Sequence, residues 1–404
     1  MNYTTCLIVI PLKHRLYSIA IPLRCNFSRF LIHFKGTDFV KEMNAMFGCA
    51  PGRANIIGEH VDYNDGYIFP FAIERKTTVH IKRSPDSAFC IRSEGFGDFR
   101  IDPEDLEQQG DWADYFKGVF WVLRKHDRFP PFPVTLDIVS DVPIGAGLSS
   151  SASIEVATLA ALNGFFRLGL NEKTLVAYAK EAENAFVGVQ CGIMDQFASV
   201  MGKEGQAIFM DTRSGDYTYV PIELGEKTFL IVNSKVSHAL GSGEYNRRRA
   251  ECALCLDTVH RNSFRDFSVD ELYEKRALLS PEAYYRGLHV LTEIERALLC
   301  KDALIGKDWP LVGRLLIQSH ESLRDNYNVS CEEIEYLIER MIRFPAVLGA
   351  RIMGGGFGGS IIALVESNAI PSILSELEES YFQQYHIKLE GYPVNPSEGA
   401  RYVG

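Results

Sequence analysis

Residues 143–152 read Pro-Ile-Gly-Ala-Gly-Leu-Ser-Ser-Ser-Ala, and this stretch is the most specific feature of the 404-residue sequence. Residues 133–138 before it alternate with a period of two and predict a strand, whereas the apolar run Ser153–Phe166 after it predicts a buried helix. Glycines let a backbone approach a polyanion closely, serines add hydroxyl donors, and a helix N-terminus adds unpaired N–H groups. The stretch therefore predicts a phosphate-binding loop. The alternative is a capped turn without a ligand.

The phosphate-binding prediction does not extend to a P-loop, because the stretch lacks the lysine of that motif. A second glycine cluster, residues 354–359, reads Gly-Gly-Gly-Phe-Gly-Gly and satisfies G-x-G-x-x-G literally. A dinucleotide-binding fingerprint must open a helix, whereas residues 360–365 have the pattern of a strand. We interpret the cluster as a strand-to-strand turn packed against a ligand or against the first loop. A hairpin without ligand contact is the alternative.

Composition excludes several classes of protein. The chain is 46% hydrophobic and 11% aromatic, which excludes intrinsic disorder, and its mean hydropathy is −0.05. The 42 Lys and Arg against 52 Asp and Glu give a net charge of −10, which disfavours a nucleic-acid partner. No apolar run approaches the ~18–20 residues of a membrane span. The basic run 247–249 is expected to be the solvated face of a helix.

The nine cysteines, an odd number, argue against a complete disulfide framework, and Cys252 and Cys255 have no second pair with which to form a zinc site. We expect reduced thiols in a cytoplasmic protein without membrane or nucleic-acid partners, and we predict a monomer.

The chain divides into three segments by composition and turn signals. Residues 1–42 hold six Lys and Arg but only two acids, and we interpret them as an N-terminal extension. A signal peptide is disfavoured because the apolar run precedes the charges, and a transit peptide is the alternative. Turn residues between Thr212 and Gly225 place a boundary between domains 43–220 and 221–404. Further patterns predict a helix at Lys173–Phe186, a strand at Phe229–Asn233, helices within Tyr245–Arg343, and strands at Val347–Ile352 and Ser360–Glu366.

Two further segments carry candidate site residues. Residues 52–63 read Gly-Arg-Ala-Asn-Ile-Ile-Gly-Glu-His-Val-Asp-Tyr, and the trio Glu59, His60 and Asp62 could bind a metal or grip the vicinal hydroxyls of a sugar. Asp195 stands in the apolar setting of residues 192–197. A buried aspartate needs a partner, and a helix-capping role is the alternative.

These motifs, in this order, resemble the galactokinase family of the GHMP small-molecule kinases. The resemblance runs from about residue 48 to residue 400 and includes residues 112–118, 243–249 and 319–325. It implies an α+β fold of two domains with the active site in the cleft between them. It also implies Mg²⁺-ATP-dependent phosphorylation of the anomeric hydroxyl of α-D-galactose to galactose 1-phosphate, the first step of galactose catabolism in the Leloir pathway.

The resemblance carries roles to individual positions. Asp195 is the implied base, and Arg53 lies beside it to favour its ionised form and to stabilise the transferring group. The implied galactose-binding residues are Glu59, His60, Val61, Asp62 and Tyr245. The implied ATP-binding residues are Gly145, Ala146, Gly147, Leu148, Ser149, Ser150 and Ser151. The implied Mg²⁺ ligands are Ser151 and Glu183.

Two positions depart from the family pattern, since valine is usual where Ala54 stands and threonine is usual at Met353. Met353 removes any hydroxyl contact from the start of the glycine turn. Other functions remain open, namely another sugar kinase of the superfamily or a galactokinase-like transcriptional sensor. Sensors lack part of the serine loop, whereas residues 149–152 are complete here and both Arg53 and Asp195 are present. The sequence therefore favours an enzyme.

Overall fold

The computed structural model describes residues 6–12, 15–21, 46–93, 95–237 and 241–404. The chain divides into two compact units, residues 1–44 and residues 45–404. The described part of the first unit is an antiparallel hairpin of β1 (Cys6–Leu12) and β2 (Arg15–Ile21). This hairpin lies within the segment that we interpret as an extension, and that interpretation stays a prediction.

The second unit mixes strands and helices, as the α+β prediction requires. Its described strands are β3 (Phe47–Asn55), β4 (Tyr67–Ile68), β5 (Pro70–Arg83), β6 (Phe89–Ser93), β7 (Gly97–Ile101), β8 (Val134–Ser140), β9 (Gln206–Asp211), β10 (Tyr217–Pro221), β11 (Lys227–Ser237), β12 (Val347–Met353), β13 (Gly358–Glu366), β14 (Glu390–Val394) and β15 (Arg401–Val403). Its described α-helices are α1 (Asp114–Lys125), α2 (Ser150–Phe166), α3 (Glu172–Glu181), α4 (Met194–Met201), α5 (Gly241–Val259), α6 (Val269–Glu274), α7 (Pro281–Ile305), α8 (Trp309–Asp325), α9 (Glu332–Met341) and α10 (Ile370–Tyr385).

Two sheets organise the second unit. The larger has the order β15-β3-β5-β8-β6-β7 and is antiparallel except between β6 and β8. The other has the order β12-β13-β11-β14 and is antiparallel throughout, and β4, β9 and β10 form a small third sheet. The last strand of the chain therefore pairs with β3, in the sheet built by the first half. The division at residues 220 and 221 does not anticipate this return, and it stays a prediction.

Helix α2 connects the core to the loop that precedes it. It packs on β3 and β5, and a Cβ on Gly48 of β3 would overlap the backbone of Ala161. Val156, Leu159 and Leu162 are fully buried, as its apolar sequence predicts. Each such side chain stabilises the fold by about 1.5–3 kcal/mol relative to an exposed one. The first turn of α2 is thereby fixed on a rigid base.

Most predicted elements are confirmed, and two differ in an informative way. Helix α2 begins at Ser150, three residues before the predicted start, because the serines of the loop form its first turn. The helix predicted at Lys173–Phe186 is α-helical only to Glu181 and continues as a π-helix, Ala182–Val187, that ends at Gly188 with φ = +90°. Single π-helical turns are frequent at functional sites, and this one carries Glu183.

The basic run at 247–249 is partly buried, so the expectation of a solvated helix face is wrong. Arg247 is exposed, but Arg248 is buried and donates to the carbonyls of Tyr327 at 2.8 Å and Asn328 at 2.9 Å. Arg249 donates to the Gln190 carbonyl at 2.7 Å. Arg248 can be buried because these carbonyls replace its hydration and because Glu244, at 3.1 Å, and Glu251, at 3.5 Å, pair with its charge.

Two sequence expectations concern chemistry outside the site. Every cysteine whose side chain the structure describes is a free thiol, as expected. No helix within the described ranges is long and apolar enough to cross a membrane.

Candidate active site

The predicted phosphate-binding loop connects β8 to α2 through three left-handed residues. Gly145 and Gly147 have φ = +70° and +68°, and Ser149, the residue before α2, has φ = +60°. A left-handed serine is costly by about 1–2 kcal/mol, and such strain concentrates at ligand sites. The Ser149 hydroxyl is also buried and has no hydrogen-bond partner among the described residues. The loop thus holds a free hydroxyl beside the unpaired N–H groups of a helix N-terminus.

The glycine turn between β12 and β13 packs directly on this loop. The Ser360 hydroxyl donates to the Ala146 carbonyl at 2.6 Å, and a Cβ on Gly147 would lie 3.2 Å from the Met353 carbonyl. Close backbone approach of this kind requires glycine. The interpretation of residues 354–359 as a turn packed against the first loop is confirmed. Met353 itself is buried, and its sulfur accepts the Asn55 N–H at 3.4 Å.

A cavity of about 160 Å³ lies beside the loop, which is room for several water molecules or one small polar ligand. Its lining residues are Arg53, Glu59, His60, Asp62, Glu183, Val189, Cys191, Gly192, Met194, Asp195, Tyr245, Gly354 and Gly355. Four of the five predicted sugar-binding residues therefore lie together: Glu59, His60 and Asp62 come from one short segment, and Tyr245 comes from a distant part of the sequence. The side chain of the fifth, Val61, packs in the hydrophobic core.

Arg53 joins the cavity to the phosphate-binding loop. Its Nε and one terminal nitrogen each donate to Oδ1 of Asp195 at 2.9 Å, and its other terminal nitrogen donates to the Gly147 carbonyl. Asp195 is the second residue of α4 and makes no capping hydrogen bond at that helix N-terminus, so the capping alternative is not what the structure shows. Oδ2 of Asp195 has no hydrogen-bonded protein donor among the described residues and can receive a proton from a ligand.

Glu59 is held in place by a cation from the opposite half of the chain. Arg351 is fully buried and donates from both terminal nitrogens to Oε1 of Glu59 at 3.1 Å, and the Gly354 N–H donates to the same oxygen at 2.9 Å. The Nε of Arg351 donates to the Ile56 carbonyl at 2.7 Å. Sequence reasoning missed Arg351, although a charged residue inside the apolar strand pattern of β12 is a signal for it.

Two carboxyl groups of the cavity titrate well above their ordinary range. Desolvation, together with the negative charges of Asp195 and Glu59, raises the pKa of Asp62 to about 6. Desolvation and the charge of Asp195 also raise the pKa of Glu183 to about 7, against the opposing effect of its hydrogen bond from Ser151. Four carboxylates in one small cavity repel one another, which makes the site attractive to cations and hydroxyl donors.

Glu183 is surrounded by donors that sequence reasoning only partly found. Its Oε1 accepts from the Ser151 hydroxyl at 2.8 Å, and its Oε2 accepts from Nε2 of Gln196 at 2.5 Å. Behind them Glu155 is fully buried with both carboxyl oxygens unpartnered among the described residues, and desolvation raises its pKa well above the ordinary value. The family resemblance implied roles for Ser151 and Glu183 but none for Gln196 or Glu155, which look in the sequence like any other polar residue of a helix.

The Ser151 and Glu183 pair fits a magnesium ion that also binds phosphates. Mg²⁺ takes oxygen ligands at 2.0–2.1 Å in octahedral geometry and usually keeps only one or two protein ligands. A hydroxyl and a carboxylate oxygen are donors of this kind, and the two lie side by side here, with the Ser151 hydroxyl 2.8 Å from Oε1 of Glu183. No cluster of three or more His, Cys, Asp or Glu within the described ranges could hold a metal, so the Glu59, His60 and Asp62 trio is not one.

The raised pKa of Asp62 makes a prediction about stability. A carboxyl group with a higher pKa in the folded state destabilises the fold as pH rises from its ordinary value of 3.8 to about 6, and the full effect persists above that range. The unfolding free energy of the ligand-free wild type should therefore fall between pH 4 and pH 7 because Asp62 ionises. In Asp62→Asn this contribution is absent, and the fall should be smaller by about 1–3 kcal/mol. Urea unfolding at both pH values measures this difference. Parallel pH profiles for the two proteins would contradict it.

Comparisons with known proteins agree with this geometry. Residues 114–203 match the GHMP kinases N-terminal domain and residues 297–383 match the GHMP kinases C-terminal domain. Residues 37–83, which contain Arg53 and Glu59 to Asp62, match a galactokinase galactose-binding signature. This match begins six residues before the predicted boundary at residue 43.

Related proteins come from bacteria, archaea and mammals. A galactokinase of Thermotoga maritima is 44% identical over 88% of this chain and 99% of its own length, and one of Bos taurus is 38% identical over 88% and 91%. A crystal structure of Lactococcus lactis galactokinase complexed with galactose has a TM-score of 0.84 at 31% identity and covers 88% of this chain and 95% of that one. Methanococcus jannaschii mevalonate kinase, at 17% identity and a TM-score of 0.63, shares the fold.

The fold and the loop, turn and cavity together define a small-molecule kinase of the GHMP class, an enzyme. The galactose-binding signature and the extent of similarity to these relatives narrow the class further. The chain belongs to the galactokinase family.

Proposed function

We propose that this protein transfers the γ-phosphoryl group of ATP to the anomeric hydroxyl of α-D-galactose, giving galactose 1-phosphate and ADP. The observation that carries the proposal is the Arg53 guanidinium, which bonds Asp195 on one side and the Gly147 carbonyl on the other. One side chain thus spans the distance between a carboxylate in the cavity and the phosphate-binding loop. Direct transfer between two bound substrates requires that proximity.

Each group of the site has a step to perform in this reaction. Glu59, His60, Asp62 and Tyr245 line the cavity and would hold the sugar hydroxyls, since carboxylates accept from hydroxyl groups. Oδ2 of Asp195 would accept the proton of the attacking hydroxyl. Arg53 keeps Asp195 oriented and lies where it can stabilise negative charge on the transferring group.

The nucleotide would bind to the loop on the other side of Arg53. The N–H groups at the start of α2 and the free Ser149 hydroxyl would receive the phosphate oxygens, in keeping with the anion preference of helix N-termini. Ser151 and Glu183 would hold Mg²⁺, which neutralises phosphate charge when bound. A bound cation would also favour the ionised form of Glu183, opposing the desolvation that raises its pKa.

The magnesium assignment predicts the behaviour of two variants. Ser151→Ala and Glu183→Gln should raise the Mg²⁺ concentration for half-maximal activity by about 10–100-fold, because the first removes an oxygen ligand and the second replaces a charged carboxylate oxygen with a neutral amide oxygen. Thr158→Ala is the matched control, since that hydroxyl lies on the same helix and bonds the Ile154 carbonyl at 2.8 Å. Activity should be measured across a Mg²⁺ series at saturating ATP. Variants whose Mg²⁺ dependence equals that of wild type would remove these residues from the metal site.

A coupled assay of ADP release across galactose, glucose and N-acetylgalactosamine tests the substrate. We expect the highest kcat/KM for galactose, since leaving a buried hydrogen-bonding group unpaired costs about 1–3 kcal/mol. Asp62→Ala should raise KM for galactose and reduce the preference over glucose at the same time. Equal wild-type values for galactose and N-acetylgalactosamine would contradict the specificity, and absence of ADP release with all three sugars would contradict the proposed reaction.

A further inference from the structure

One ring nitrogen of His60 is hydrogen-bonded to a protein group, and the other is not. Its Nδ1 lies 2.7 Å from the Tyr63 hydroxyl, whereas its Nε2 is buried and has no hydrogen-bond partner among the described residues. The residue lines the cavity. Burial lowers the pKa of His60 to about 3, so the ring is neutral at physiological pH and carries its single hydrogen on one of the two nitrogens. The bond at Nδ1 decides which one.

A chain of buried groups continues from Tyr63 away from the cavity. The Tyr63 hydroxyl lies 3.0 Å from the Tyr327 hydroxyl, which lies 3.2 Å from the sulfur of Cys252. Nδ2 of Asn64 donates to that sulfur at 3.7 Å and to the His60 carbonyl at 2.8 Å. These hydrogen bonds therefore form a closed series that starts at the ring of His60 and ends at its backbone carbonyl.

The ring of Tyr327 is fixed between two histidine rings. Its centroid lies 4.6 Å from that of His60 and 4.5 Å from that of His289, and Arg248 holds its backbone carbonyl. His289 shows a tautomer that its partners determine. Its Nε2 must donate to the Glu59 carbonyl at 3.1 Å, so its Nδ1 accepts from the Ser322 hydroxyl at 2.9 Å.

In this series of hydrogen bonds, only one donor-to-acceptor direction gives every donor a partner. The Cys252 sulfur accepts from Asn64, so its S–H can donate to Tyr327, Tyr327 can donate to Tyr63, and Tyr63 can donate to Nδ1 of His60. In the reverse direction the sulfur would accept two donors while its own S–H had no partner among the described contacts. Buried polar groups are rarely left unpaired, which favours the first direction.

The charge of the cavity favours the same direction. Glu59, Asp62 and Asp195 give the cavity carboxylate acceptors. A lone pair on Nε2 would add one more acceptor and be repelled, whereas an N–H there is attracted.

We propose that Cys252, Tyr327 and Tyr63 form a positioning relay that holds His60 in the tautomer with hydrogen on Nε2, which makes His60 a hydrogen-bond donor to an oxygen of the bound ligand. That the ligand is a sugar rests on the proposed function. None of the three relay residues lines the cavity, so each acts through His60.

Nuclear magnetic resonance of the ¹⁵N-histidine-labelled protein without sugar tests the relay directly. The signal of His60, identified by its loss in His60→Asn, should show a protonated Nε2 and an unprotonated Nδ1. In Tyr63→Phe and Tyr327→Phe a population protonated at Nδ1 should appear. Tyr381→Phe is the matched control, because it also removes a buried hydroxyl, one that donates to the Ser234 carbonyl at 3.0 Å, and it should leave the His60 signal unchanged.

Cys252 supplies a rescue experiment. Cys252→Ser keeps a donor at the end of the chain and should preserve the His60 tautomer, whereas Cys252→Ala should release it. In kinetics, Tyr63→Phe should raise KM for galactose about 3–10-fold, the effect of one weakened hydrogen bond, with smaller changes in kcat and in KM for ATP.

A wild-type His60 protonated at Nδ1, or a tautomer that does not change in Tyr63→Phe, would overturn the relay. Equal effects of Cys252→Ser and Cys252→Ala would overturn the assignment of Cys252 as its donor. The tautomer measurements need no sugar, so they separate the relay from the proposed function. A sugar panel without turnover would contradict the reaction and leave the tautomer result standing.

Discussion

Asp195→Asn should lower kcat for galactose by about 10²–10⁴, the range for loss of a positioned base. An amide has nearly the size of the carboxylate and its oxygen can still accept from Arg53, so the fold and the pair should persist. It cannot take the proton of the attacking hydroxyl. Steady-state kinetics with both substrates varied, together with a thermal unfolding curve, measure the effect and show that the variant is folded.

Asp211→Asn is the matched control for this experiment. Asp211 pairs with Arg265 at 3.2 Å and its side chain is about as exposed as that of Asp195, but it does not line the cavity. That variant should keep wild-type kcat. If Asp195→Asn turns over at the wild-type rate, Asp195 is not the base and the proposed mechanism fails.

The local elements of the site could be predicted from sequence because local chemistry determines them. Residues 143–152 predict a loop between a strand and a helix, because the glycines, the serines and the apolar pattern each determine the backbone conformation within a few residues. The same holds for residues 354–359, where a strand pattern on both sides excludes the helix of a dinucleotide fold. The family resemblance then supplied what local patterns do not, namely that Arg53, Asp62 and Asp195 belong to one site.

The supporting groups could not be predicted because their partners lie far away in sequence. Arg351 binds Glu59 from 292 positions away, and Gln196 is recognisable as a partner only once the π-helix has turned Glu183 toward it. The burial of Arg248 depends on the carbonyls of residues 327 and 328. Such residues carry a charge or amide in an otherwise ordinary helix or strand, and only tertiary contacts distinguish them from surface residues.

The two halves of the chain therefore contribute differently to the site. The groups that would meet the substrates come mainly from residues 53–62 and 145–195, whereas the groups that fix them come largely from residues 248–360. Glu293 shows this arrangement again, because its Oε1 accepts both the Gly58 N–H at 2.9 Å and the Ser319 hydroxyl at 2.7 Å. Substitutions of these supporting residues should accordingly act indirectly, by displacing the groups that would meet the substrates.

Gly192→Ala should reduce kcat/KM for galactose by roughly 10–100-fold, solely because it displaces the side chain of Asp62. A Cβ at this position would overlap the carboxylate of Asp62. The backbone of Gly192 is not in the left-handed region, so alanine adds no conformational strain. The end of a side chain moves more easily than the backbone, and Asp62 should therefore turn out of its place in the cavity. The value of KM for ATP should remain within about twofold of wild type, because the phosphate-binding loop is untouched.

A double-mutant cycle decides whether Gly192 acts only by making room for Asp62. If it does, adding Gly192→Ala to Asp62→Ala should cost much less than Gly192→Ala costs in wild type, since the side chain to be displaced is gone. Gly243→Ala is the control, because a Cβ there meets no atom of the described residues within 4 Å and its backbone is also outside the left-handed region. Additive losses in the double variant would show that the new methyl group obstructs the ligand itself, and the effect of Gly192→Ala would then measure the space in the cavity rather than the position of Asp62.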